Sequence, residues 1–177
     1  MQEQLVGEKI IIAIDPGSVQ SGWVVWDGKN IHDFGLWENK SLLHLICRAQ
    51  VSTLPRDMDL VIEQIRSYGM AVGASTFDTV FWSGRFCQAF GEPFHLMPRL
   101  EVKKHICHNG SAKDSNIIQA LVDRFAYGQN NKGKGTKKEP GFFFGFKSDI
   151  WQAFALAVTW WDQRELSNYS CHSKEKV

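Results

Sequence analysis

The 177-residue sequence lacks the features that would mark it for export or for a membrane. No apolar run approaches the roughly 20 residues needed to span a bilayer. The opening MQEQLVGEK has neither the basic start nor the apolar middle of a secretory leader. Its four cysteines, Cys47, Cys87, Cys107 and Cys171, show no C-x-x-C spacing, which speaks against a disulfide framework and for free thiols in a reducing compartment. A cytoplasmic protein with no membrane partner is expected. An excess of charge of one sign is also missing: 20 Lys and Arg against 19 Asp and Glu leave +1, so any nucleic-acid surface must be a local patch. There is no internal repeat, and His105, Cys107 and His108 have no second ligand pair at zinc spacing. One domain is expected over residues 1–166, with 167–177 a tail without fixed structure.

What is present is an alternation of strands and helices. Residues 9 to 15 are almost all apolar and β-branched, the pattern of a central strand buried on both faces. Two further strands, around Trp23–Trp26 and Asn30–Phe34, flank the turn pair Asp27-Gly28 and predict an antiparallel meander. A helix is expected from Lys40 to about Val51, a buried strand over Asp59–Glu63, a helix over Ser75–Phe90 and a fifth strand over Phe94–Met97. Ser111-Ala112-Lys113-Asp114 resembles a capping box opening a helix through Phe125, and a last helix runs from about Asp149 to Arg164. Between these two helices, GQNNKGKGTKKEPG has the composition of a mobile surface loop. The clusters Phe142–Phe146 and Trp160-Trp161 read as core or as a surface between subunits. The elements describe an α/β protein with a mixed five-stranded sheet and helices on both faces.

Three carboxylates stand where apolar elements emerge into solvent. Asp15 ends the first strand in IIIAIDPGS, Glu63 ends the strand LVIE, and Asp149 opens the last helix. Each alone has an ordinary explanation: a turn residue before Pro-Gly, a paired acid, a helix cap. Together, on neighbouring strands, they would crowd and raise one another's pKa unless cations neutralised them. Hard divalent ions with oxygen ligands meet that need. Two such ions can activate a water and stabilise a leaving oxygen on a phosphodiester, the chemistry of a nuclease. In that setting Pro16-Gly17 turns the chain away and leaves backbone room for phosphate.

In order along the chain, IDPGS with SGWVVWD, then EQIRSYGMAVG, FDTVFWSGRF, EVKKHICHNGSAKDSNIIQALVDRF, GTKKEPG and KSDIWQAFALAVTWW resemble the RuvC-type Holliday junction resolvases, phage and prophage members above all, from Lys9 to Trp161. That resemblance implies a ribonuclease H-like fold and a homodimer. It also implies two Mg²⁺ or Mn²⁺ ions per site and paired symmetric nicks across a four-way DNA junction, in recombination and repair. It assigns the metal to Asp15, Glu63 and Asp149. Cellular members carry two acidic or His ligands three residues apart at the start of the last helix, whereas here Asp149 is followed three residues later by Gln152; Gln152 or Asp114 is then the candidate for the fourth position. Lys103 and, with a one-residue offset, Lys113 match basic residues that would contact the scissile phosphate. Arg66 or Tyr68 stands near the position of an aromatic that stacks on opened bases. Lys132, Lys134, Lys137 and Lys138 form a basic loop able to clamp the DNA backbone. The helix over Phe77–Phe90 is expected to make the dimer contact. A broader branched-DNA or flap endonuclease, and a catalytically silent structure-selective DNA-binding protein, are the alternatives. IDPGS before a hairpin also resembles the phosphate loop of actin-like kinases, but the chain is too short for their second nucleotide domain, and no nucleotide cofactor is expected.

Overall fold

The computed structural model describes residues 9–51, 58–67, 69 and 71–174; of residues 49–51 and 167–174 it describes the backbone. Three strands come first, β1 (Ile10–Asp15), β2 (Gln20–Trp26) and β3 (Ile31–Glu38), followed by α1 (Asn39–Val51) and β4 (Met58–Gln64). Then come α2 (Ala74–Phe90), β5 (Phe94–Pro98), α3 (Arg99–Cys107), α4 (Asp114–Phe125) and α5 (Ile150–Lys174). The sheet order is β3-β2-β1-β4-β5. β1, β2 and β3 form an antiparallel meander, while β4 lies parallel to both β1 and β5. Among the described residues no helix is long and apolar enough to cross a membrane.

The central strands are apolar throughout because both of their faces are covered. Side chains alternate across the sheet. Ile12, Ile14, Leu60 and Ile62 meet Leu42 and Ile46 of α1 and Phe86, Cys87 and Phe90 of α2 on one face. Ile11, Ala13, Val61 and Met97 meet α3, α4 and α5 on the other, with Phe143, Phe146 and Phe154 between them. Each such side chain contributes roughly 1.5–3 kcal/mol when fully buried. The hairpin at Asp27-Gly28 is held by the Asp27 carboxylate, which accepts the Lys29 and Asn30 amides at 2.8 and 2.5 Å. Burial would raise the Asp27 pKa, but these amides and the Asn30 and His32 side chains outweigh it and bring it down to about 2.

Three expectations change. The segment 128–141 is an organised loop rather than a mobile one. Gly141 and Phe143 donate their amides to Lys134 and Gly133 at 2.9 Å, Gly135 pairs with Pro140, and Gly133 is buried against Ala126 and Phe143. The capping box sits two residues later than read: Lys113 is the cap, its amide bound to Asn116 Oδ1 at 2.9 Å. The last helix continues to Lys174, through the segment read as a tail from 167. α3 was not read as a helix at all, and on α2 only Phe86, Cys87 and Phe90 are buried, while Phe77, Val80 and Phe81 stay exposed.

Candidate metal and nucleic-acid site

The strand alternation that fills the core also aims the acids. Asp15 follows Ile11 and Ala13, and Glu63 follows Val61, so both carboxylates emerge on the face covered by α3, α4 and α5. The parallel register pairs Ile14 with Ile62, leaving Asp15 and Glu63 as neighbours at the same end of the sheet. Asp149 arrives through Gly22. In the antiparallel register Gly22 lies opposite Asp15, and a Cβ built on it would stand 2.5 Å from the Asp149 backbone carbonyl. Only glycine lets the start of α5 settle so closely on β2. Ser148, with φ of 41°, makes the turn into the helix, and its hydroxyl donates to Asp149 Oδ1 at 2.8 Å.

The loop after β1 explains why Asp15 is followed by Pro-Gly. Gly17 lies too close to the Gln20 carbonyl to carry a side chain. Its amide donates to Ser21 Oγ at 3.2 Å, Ser21 donates to Asn39 Oδ1 at 2.7 Å, and Asn39 Nδ2 returns to the Gly17 carbonyl at 2.9 Å. This closed polar ring, with Ser21 and Asn39 fully buried, pins the turn to the start of α1.

The helices on this face start at the same edge. Arg99 is the first residue of α3, Asp114 the first of α4, and Asp149 immediately precedes α5. Their far ends are tied by Asp162 of α5, which accepts Arg124 at 2.6 and 2.8 Å and faces His105 at 2.7 Å. Burial pushes the Asp162 pKa up, but Arg124 and His105 prevail and hold it below the usual range. His105 is thereby engaged in a structural hydrogen bond.

Burial and crowding shift the pKa values of the acids. Burial, then repulsion from Glu63, Asp149 and Asp114, pushes the Asp15 pKa up to about 8 against the opposing pull of Arg99. Burial raises Glu63 as well, and Arg99 and Lys103 offset part of it. Asp114, expected to serve mainly as a cap, turns its Oδ1 to Arg99 at 2.7 Å and is the fourth acid of the cluster. Gln152 is buried one turn into α5. Lys103 lies close enough to Glu63 to act on its charge, while Lys113 is exposed at the start of α4.

Arg99 was missed. Its guanidinium spans Glu63 Oε2 at 2.9 Å and Asp114 Oδ1 at 2.7 Å. Burial disfavours its charge, but Glu63 and Asp114 overcome that and raise its pKa. A positive residue directly after the strand beside Glu63 was the available signal. Arg66 is exposed two residues past β4, its Nε bound to Gln64 at 2.6 Å, and lines a cavity of about 280 Å³ with Lys104 and Glu101. Tyr68 lies outside the described residues. Lys132, Lys137 and Lys138 are exposed and Lys134 is partly buried on the loop leading towards Asp149.

The donor set suits a hard divalent cation: all oxygen, mostly carboxylate, and buried and crowded enough to push the Asp15 pKa up to about 8 without one. As they stand, the acids form no ready coordination sphere; among the described residues no three His, Cys, Asp or Glu side chains are spaced to hold an ion.

No protein-family model matches the sequence, and no characterised protein matches it by the search of curated sequences. Solved structures do. Thermus thermophilus RuvC superposes with a TM-score of 0.56 at 18% identity, over 85% of this chain and 92% of that one. T. thermophilus RuvC in complex with a Holliday junction substrate does so with a TM-score of 0.56 at 15% identity, over 85% and 91%. The mixed β3-β2-β1-β4-β5 sheet, sandwiched between α1–α2 and α3–α5, is therefore the RuvC-type, ribonuclease H-like fold.

Proposed function

We propose that this protein is a divalent-metal-dependent endonuclease that resolves four-way DNA junctions by paired symmetric nicks. The observation that carries this reading is the convergence of Asp15, Glu63, Asp149 and Asp114 at one sheet edge, where burial first, and then repulsion among these acids, pushes the Asp15 pKa up to about 8. Acids crowded in this way cost stability unless a cation joins them. The structural likeness to a RuvC bound to a Holliday junction supports four-way DNA as the substrate.

In this reading the sheet edge fixes Asp15 and Glu63, and the glycine contact at Gly22 fixes Asp149, so the three ligands are set by backbone rather than by flexible loops. Asp15, Glu63 and Asp149 would hold two Mg²⁺ or Mn²⁺ ions, which would supply activation of the attacking water and neutralisation of the leaving oxygen. Lys103, beside Glu63, and Lys113, exposed at the start of α4, supply positive charge to the phosphate. The first turns of α3 and α4 offer backbone amides at the same edge, where the helix dipoles favour an anion. Arg66 stands beside this edge, able to stack on an opened base, and the four loop lysines hold an arm of the junction.

Paired nicks need two sites. The exposed Phe77, Val80 and Phe81 of α2, with Leu96 on edge strand β5, form an apolar surface suited to a second copy of the chain. The sequence resemblance supports a phage-type member acting in the cytoplasm of its host.

The test is cleavage of an end-labelled synthetic four-way junction in Mg²⁺. Asp15→Asn removes a ligand charge while keeping shape, so cleavage is lost and junction binding persists. Cleavage at the wild-type rate overturns the assignment. Nicking of flaps as fast as of junctions favours the broader endonuclease, and binding without nicking by the wild type favours a silent DNA-binding protein.

A further inference from the structure

The carboxylates of the site already hold a cation of the protein's own. Arg99 connects Glu63 and Asp114, which lie 36 and 15 residues from it in sequence and on different elements. Its backbone is fixed as the first residue of α3, whereas its side chain is 30% exposed, against 10% for Glu63. The guanidinium thus reaches into a largely buried acid from a position with an open path to solvent. A guanidinium and a divalent ion compete for the same cluster, since a positive charge held against Glu63 Oε2 and Asp114 Oδ1 repels an incoming cation and occupies oxygens it would use. Arg99 occupies Glu63 Oε2, and among the described residues no three acids close around a common point.

We propose that Arg99 is the resident cation of the metal-free site: it clamps Glu63 to Asp114, is exchanged for the incoming divalent ion, and then presents its freed guanidinium to the DNA phosphate that arrives there. This rests on the endonuclease reading above and adds a residue that reading does not require. The exchange leaves Glu63 and Asp114 with a cationic partner both before and after the metal arrives, and frees a positive charge for substrate. An arginine that merely orients Glu63 for the metal makes the opposite prediction, because its loss would weaken metal binding.

The test is calorimetric titration of the full-length, DNA-free protein with MgCl₂ at about pH 8.5, high enough that release of the Asp15 proton does not mask the exchange. Arg99→Gln removes the competing charge and is expected to bind Mg²⁺ roughly tenfold more tightly, the equivalent of one charged hydrogen bond. Arg99→Lys keeps the charge but cannot fork between two acids, and falls between the two; it carries the test if the glutamine variant does not fold. Equal or weaker Mg²⁺ binding by the folded variants overturns the inference. If the wild type binds Mg²⁺ and nicks junctions while the variants gain no affinity, the exchange alone is refuted; if none of the proteins binds Mg²⁺, the exchange and the endonuclease reading fall together.

Discussion

Replacing Gly22 with alanine is the smallest change that should impair the site without substituting any of its acids or bases. A Cβ at this position would lie 2.5 Å from the carbonyl carbon and oxygen of Asp149 and 2.8 Å from the amide nitrogen of Ile150, where real contacts do not fall below 3.0 Å. All these atoms are backbone, so no side chain can swing aside. Either β2 bows or the start of α5 lifts, by at least about 0.5 Å. Overpacking of this kind typically costs about 1–3 kcal/mol, which for a domain of this size lowers Tm by roughly 2–10 °C. The functional loss should be larger in proportion, because Asp149 moves against Asp15, and a misplacement of about 1 Å can cost on the order of a hundredfold in rate. Junction nicking in saturating Mg²⁺ is expected to fall roughly ten- to a hundredfold, with melting and urea curves reporting the stability cost. A variant that melts lower but cuts at the wild-type rate would show that the seating of α5 on β2 does not govern the chemistry. One that neither melts lower nor cuts more slowly would refute the close approach itself.

Two further outcomes follow from the charges. In the metal-free protein Asp15 titrates near 8 when folded and near 3.8 when unfolded, so between those values the folded state holds the extra proton. Stability therefore falls as pH rises across that window, by up to about 1.4 kcal/mol per unit; Asp15→Asn flattens the dependence in chemical denaturation, and an unchanged slope contradicts the assignment. Replacing Lys132, Lys134, Lys137 and Lys138 with alanine is expected to reduce the salt dependence of junction binding by about 0.9 in log–log slope for each lysine that meets a phosphate. An unaltered slope in a filter-binding series disposes of the clamp.

The sheet was legible because its strands advertise themselves. IIIAI and LVI are apolar on both faces, and the acids that end them mark one edge, so register alone sets Asp15 beside Glu63. Other parts carried weaker signals. α3 has nine residues, follows a proline and buries only Val102, so it shows almost no apolar periodicity, and with it went Arg99. The loop at 128–141 has a mobile composition, yet backbone hydrogen bonds and a buried glycine hold it in place, and composition does not record these. Asp114 sits at a helix start where a carboxylate has an ordinary use; its turn towards Arg99 depends on a residue from another element. Gly22 appears in sequence as an ordinary residue of a strand, and its contact with Asp149 exists only once the chain between them, a separation of 127 positions, has folded.

The central claim is that Asp15, Glu63 and Asp149 jointly grip divalent cations. Anomalous diffraction from crystals soaked in MnCl₂ tests it most directly. The account predicts manganese peaks between these three carboxylates, with Arg99 withdrawn from Glu63. Manganese bound elsewhere, or no peak at the cluster with the Arg99 ion pairs intact, would contradict it.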